Sequence, residues 1–381
     1  MTQQRSSVPR TAIVVVAIVV VAAVVWLFAM RGSGPGTGPS PGASQTSAST
    51  AAVSPSPSAS ASAVGSATGL KAVYVSTGPI GQNPFLVLIA EGLKQGGTEC
   101  GVETKVIESA DVPTMEDNFQ AAIFDKYDLI VANSFDSVDA ITRLAKEHPD
   151  QKWALVDSTV DSPNVRGLLF KEHEGTYLLG ATLGTLASGD YQGFPVSTRI
   201  GAVGAVDAPF VRRWYVGFEE GVKAVAPSIT LDLGWATGFN DPATSKELAL
   251  SQNDKGAKYI FAFSAAGNTG IFEAAKERNF FTTGVDTDQR PLDPDHIVES
   301  MVKRTDLGVK QSVCDLAKGE FKGGPVSYGL AENGVGPAFL ALDKLDPPSR
   351  LPQAVQDKVR GLADKIKSGE IKVTDFLAKS G

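Results

Sequence analysis

From residue 71 onward, short apolar runs alternate with segments whose apolar positions fall three and four residues apart. The runs KAVYVST, YDLIVAN, KWALVDS, RGLLFK, RIGAVGAV, KYIFAFS and FFTTGVD are rich in β-branched and aromatic residues. They read as short strands buried on both faces. Helical spacing marks the residues after Pro84, where Phe85, Leu88, Ile89 and Leu93 fall on one face, and the segments after Asp136, Glu174, Val211 and Thr269. Alternation of this kind predicts βαβ units and parallel sheets. The pattern restarts near Arg199 after a long helix, and one sheet seldom takes so many units. Two α/β lobes are therefore expected, with the cleft between them as the default binding site.

The first 70 residues follow another pattern. Residues 12–30 form an uninterrupted apolar run of 19, long enough to cross a bilayer. Arg5 and Arg10 precede the run with no acidic residue nearby, which places residues 1–11 in the cytoplasm and the rest of the chain outside. A cleaved secretory signal is the competing reading; its apolar region is normally shorter and ends at a small-residue cleavage site, so an uncleaved single-pass anchor is expected. Residues 31–70 then collapse to Gly, Pro, Ser, Ala and Thr with few other residues, a composition that makes a tether and buries no core. The binding domain is thereby expected at residues 71–381, held off the extracytoplasmic face of the membrane.

Charge and chemistry narrow the function. The first 70 residues contain three arginines and no acid, so residues 71–381 hold 32 basic against 42 acidic side chains, a net charge of −10. Such a surface does not suit nucleic acid. His148, His173 and His296 lie in unrelated contexts without metal-ligand spacing, and the acidic group Asp286, Asp288, Asp293 and Asp295 lacks the glycine turn and terminal Glu of a calcium loop. G-x-S-x-G, C-x-x-C and Walker motifs are absent from the sequence. The expectation is a binding protein with no catalytic residues, no cofactor and no metal.

The stretch GPIGQNPFLVLIAEGLK (78–94) is a glycine loop that runs into a helix start. At the carboxyl end of a strand, such a loop sits where open parallel sheets hold ligands, and a helix N-terminus offers free N–H groups. Phe85 at its exit is either a ring for a flat ligand or a core residue. Phe135 and Asp136 end another strand, and Asn268 and Thr269 follow a third; each polar member is either a ligand contact or the cap of the next helix. Trp214 lies on a helix and reads as packing.

The segments DLIVANSF, HPDQKWALVDS, EGTYLLGATLGTLAS, IGAVGAVDAPFVRRWYVGFEEGVKAVAP, GFNDPATSKELA, GNTGIFEAAKE, GVDTDQ, SMVKRTDLGV and ENGVGPA follow the opening loop in order. Together they resemble the basic membrane protein family of ABC-transporter substrate-binding proteins, of which purine-nucleoside receptors are the best-known type. The resemblance covers Lys71 to about Asp343. It implies a two-lobed type I periplasmic-binding-protein fold hinged around a ligand cleft, with a first lobe of about 71–195 plus a C-terminal return and a second of about 196–300. It also implies that Phe85 and Phe239 sandwich a base while Asp286 and Lys303 hold ribose hydroxyls. A carboxylate suits a diol because it accepts from both hydroxyls.

The opening loop departs from the family's G-D-K-S-F-N-Q pattern, with Gln82 at the aspartate position, Pro84 for serine and Leu86 for asparagine. Gln82 donates and accepts but carries no charge, and Leu86 makes no hydrogen bond. The ligand set expected from the resemblance and the strand ends is Gln82, Phe85, Phe135, Phe239, Asn268, Thr269, Asp286 and Lys303. Cys100 and Cys314 are the two cysteines. On the oxidising side of a membrane they are free to bond. The family fold returns the chain to the first lobe near Cys314, which implies a disulfide. The expected function is a monomeric solute receptor that closes on a nucleoside-like or other small polar ligand and delivers it to an ABC permease. The alternative is a tethered sensor that reports ligand occupancy to a partner protein.

Overall fold

The computed structural model describes residues 69–81 and 83–378. The expectations for residues 1–11 and 12–30, for nearly all of the tether and for Gln82 therefore lie outside the described residues. Among the described residues, no helix is long and apolar enough to cross a membrane.

In chain order the elements are β1 (Lys71–Val75), α1 (Pro84–Cys100), β2 (Glu103–Ile107), α2 (Val112–Phe124), β3 (Leu129–Asn133), α3 (Val138–Glu147), β4 (Lys152–Val156), β5 (Val165–Phe170) and α4 (Glu172–Ser188). After these come β6 (Arg199–Gly204), α5 (Pro209–Val225), β7 (Thr230–Trp235), α6 (Pro242–Asp254), β8 (Tyr259–Phe263), α7 (Asn268–Arg278), β9 (Phe281–Asp286) and β10 (Ile297–Lys303). The chain continues through α8 (Thr305–Lys318), β11 (Gly324–Tyr328), β12 (Val335–Pro337), α9 (Ala338–Ala341) and α10 (Gln353–Lys367). Two six-stranded sheets result, ordered β11-β5-β4-β3-β1-β2 and β12-β10-β9-β8-β6-β7. The first is parallel throughout, and the second is parallel except for its edge pair β10–β12. This is the two-lobed α/β architecture expected from the alternation.

The central strands are those the apolar runs marked. Every residue of LIVAN in β3 and of YIFAF in β8 is buried, as strands covered by helices on both faces require. Helix α1 starts where the sequence indicates: Pro84 occupies its first turn and the Asn83 side chain accepts the Phe85 N–H. It then packs so closely on α8 that a Cβ at Gly92 would lie 2.6 Å from the Asp306 Cα. The Cys100–Cys314 disulfide closes the same helix pair, with 5.3 Å between the Cα atoms.

The chain passes between the sheets three times. It leaves the first after β5, returns from β10 into α8, whose partner α1 belongs to the first lobe, and crosses again between β11 and β12. Helix α4 packs on α5 and beside β10 and β12, so by packing it goes with the second sheet, ahead of the boundary expected near residue 195. The reason is steric: α4 and α5 approach until a Cβ at Gly221 would stand 1.9 Å from the Tyr177 carbonyl oxygen. The first crossing is thus at Lys171–Glu172, and the second follows Lys303.

Candidate functional site

The carboxyl ends of the central strands face a cavity of ≈ 340 Å³ between the two sheets. Four residues at or just after these ends hold left-handed backbone: Ser134 after β3 (φ 68°), Asp157 after β4 (φ 64°), Ala265 after β8 (φ 52°) and Asp286 closing β9 (φ 65°). All four line the cavity. Non-glycine residues enter this region at a cost, and such strain gathers where side chains must be aimed.

Aromatic rings come from both lobes. Phe85, from the start of α1, lines the cavity, as does Phe135 from the turn after β3. From the second lobe come Phe210 and Trp214 on α5 and Phe239 from the loop after β7. Phe135 meets Phe210 across the cleft at 5.0 Å between ring centroids, and Phe210 stacks on Phe239 at 6.2 Å with 19° between planes. Phe135 and Phe239 are 54% and 39% exposed, so apolar surface is left at the mouth rather than sealed in a core.

The polar floor centres on Lys303, the last residue of β10. Its Nζ, buried, lies 2.5 Å from Asp157 Oδ2 and 2.8 Å from Glu172 Oε1, while the rings of Phe85, Phe170 and Trp214 stand 5.1–5.5 Å away. Burial opposes this charge, but Asp157, Glu172 and Asp286 outweigh it and hold the ammonium above lysine's ordinary pKa. Burial also disfavours charge on Glu172, yet Lys303 and Arg213 overcome it and lower that carboxyl. For Asp157 burial wins over the pull of Lys303, and its pKa rises. Asp286 is pushed up to about 7, first by burial; Lys303 offsets part of this, and the charges of Asp157 and Glu172 add to it.

A second layer fixes this floor. Arg213 Nη1 donates to Glu172 Oε2 at 2.8 Å and to the Phe170 carbonyl at 2.7 Å, its Nη2 reaches Asp375 at 2.8 Å, and its Nε meets His173 Nδ1 at 3.1 Å. On the opposite wall the Tyr74 hydroxyl donates to Asn133 Oδ1, and Asn133 Nδ2 donates to Thr77 Oγ1 and Ser134 Oγ.

Of the residues expected from sequence, Phe85, Phe135, Phe239, Asp286 and Lys303 share this cavity. Asn268 and Thr269 are not among its lining residues. Asn268 is fully buried, accepting the Ser264 N–H and donating to Gln289, and the Thr269 hydroxyl donates to the Ala266 carbonyl. Both sit in the first turn of α7 and bond back to the turn before it; Gly267 is the N-cap and neither side chain caps the helix, so neither alternative holds for them. Trp214, read as packing, does pack against the core, and from the start of α5 it also lines the cavity. Phe210 and Asp157, which line the cavity, and Glu172, paired with Lys303, lie outside the set expected from sequence. For Asp157 a signal existed: KWALVD and FTTGVD end alike, in aspartate at a strand terminus.

Set beside known proteins, residues 70–376 match the family model Bmp, described as ABC transporter substrate-binding protein PnrA-like. The chain belongs to the Bmp family. Among Bmp relatives, the CD4+ T-cell-stimulating antigen of Listeria monocytogenes is 28% identical over 327 residues, covering 80% of this chain and 87% of the relative. The ABC transporter nucleoside-binding protein BmpA of Lactococcus lactis is 26% identical over 292 residues, 70% of this chain and 81% of that one. An ABC transporter solute-binding protein of Aeropyrum pernix superposes with a TM-score of 0.70 at 26% identity, covering 80% of this chain and 93% of the other. As a Bmp protein the chain is an ABC-transporter substrate-binding protein, and its cleft is that of a receptor.

Proposed function

We propose that the protein captures a nucleoside-like ligand in the cleft and delivers it to an ABC permease as a membrane-held monomer. The observation that carries this reading is the placement of Phe85 and Phe239, one ring from each lobe, in the cavity that also holds Asp286 and Lys303. Rings contributed from both lobes suit the π-faces of a base, and an unengaged carboxylate suits a ribose diol. The name of the Lactococcus relative points the same way. The apolar run at residues 12–30 supplies the anchor in this reading, with the domain outside the membrane.

The deciding experiment is calorimetric titration with guanosine, inosine, adenosine and, as controls, free bases and sugars. A purine nucleoside is expected to bind, and Phe239→Ala and Asp286→Ala each to remove most of that binding while circular dichroism stays unchanged. Full affinity in both variants would remove the site assignment, and binding of sugars alone would remove the nucleoside.

A further inference from the structure

The charges around the cavity do not balance. Lys303 is the one basic residue among the described residues that line it, and its ammonium is already taken by Asp157 and Glu172. Asp286 is only 6% exposed and faces the cavity, yet its carboxylate has no hydrogen-bond partner among the described residues. Asp157 Oδ1 is likewise buried without a partner, and Asp136 adds a third carboxylate at the mouth. Around these acids stand the rings of Phe85, Phe210, Phe239 and Trp214, with Lys303 Nζ over those of Phe85 and Trp214.

From this arrangement we infer that the cleft selects a positively charged flat ligand, a heterocycle of nucleoside type bearing an ammonium or other cationic group, over its neutral and anionic analogues. The inference rests on the nucleoside-type reading for the ligand's shape and goes beyond it in the ligand's charge. A diol would give Asp286 hydrogen bonds but would leave its charge uncompensated in a poorly hydrated site. A cation supplies both, and aromatic faces add their own attraction for it. The raised pKa of Asp286 accords with this arrangement: burial raises it first, Lys303, shared with Asp157 and Glu172, offsets only part, and the charges of those two acids add to it. A phosphate ester would meet the same carboxylates with no free basic group to answer it.

The test is a charge series on one scaffold. The full chain, in detergent, is titrated with 5′-amino-5′-deoxyadenosine, adenosine and adenosine 5′-monophosphate at pH 7 and low salt. Affinity is expected to fall in that order, by about tenfold or more at each step. Asp286→Asn, which keeps shape, is expected to erase the advantage of the ammonium over the hydroxyl. Equal binding of the first two, or tighter binding of the phosphate, overturns the inference. If none of the three binds, the nucleoside reading fails by itself, and the charge is read without a ligand from quenching of Trp214, isolated by difference from Trp214→Phe. Caesium is expected to quench Trp214 more than iodide, and less so in Asp286→Asn. Iodide quenching equal to or above that of caesium overturns the inference independently.

Discussion

Asp286 is held in a backbone conformation that non-glycine residues enter at a cost, and the folded chain favours its protonated form. A carboxyl whose folded pKa is about 7 against 3.8 for an ordinary aspartate binds its proton more tightly folded than unfolded. Stability therefore falls as pH rises from about 4 to about 7 and stays reduced above, by an amount on the order of 4 kcal/mol at most. Asp286→Asn is accordingly expected to raise the melting temperature of the ligand-free protein at pH 8, and to raise it less at pH 5. A variant that melts below the wild type at pH 8 would show that the carboxylate is compensated after all. Lys303→Met should act in the opposite direction. It leaves Asp157 and Glu172 as buried carboxylates without their ammonium, a loss of about 3–5 kcal/mol, measurable as a lower denaturant midpoint. Phe85, Phe239, Asp286 and Lys303 were legible because each lies in a recognisable segment. Phe210 and Trp214 were not, since on an amphipathic helix a ring at the cleft and a ring in the core have the same spacing.

At the scale of elements, legibility followed burial. The central strands announce themselves because burial on both faces demands an unbroken apolar run. The edge strand β2, ETKVI, has exposed positions and blends into its surroundings, and β10 carries Glu299, a wholly buried acid. The Glu299 carboxylate accepts the N–H groups of Ser300 and Ala338, which explains its presence in the sheet but could not be read from its neighbours. The α1–α8 pair joins positions 214 residues apart through Cys100 and Cys314. Closing so long a loop restricts the unfolded chain strongly, so Cys100→Ser with Cys314→Ser is expected to cost about 2–5 kcal/mol without moving ligand affinity. Urea titration with and without the pair checks the first, and calorimetry the second. A large affinity change would mean that α8, which follows Lys303 directly, depends on the disulfide for its position.

For the molecule as a whole, the order of lobes was readable, and the return to the first lobe near Cys314 followed from the family resemblance; the last crossing, between β11 and β12, was not readable. Glu172 begins α4 at the first crossing, and Lys303 ends β10 at the second, so the ion pairs of the floor are also bonds across the hinge. The ring contact between Phe135 and Phe210 spans the opposite side of the same cleft. Phe210→Ala is therefore expected to lengthen the distance between spin labels placed one on each lobe in the ligand-free protein. An unchanged distance distribution would confine Phe210 to ligand contact. A strand's own residues give no sign of which sheet it will enter, so β11 and β12 could not be assigned to different sheets from their sequence.

If the domain is held outside the membrane as proposed, the disulfide has one more consequence. Cys100 and Cys314 bracket most of both lobes. A protease that nicks the loop at 189–198 would therefore release nothing: the two pieces stay covalently joined and share a core, migrating as one band until reductant separates them. Cleavage at such a site would damage the receptor without shedding it.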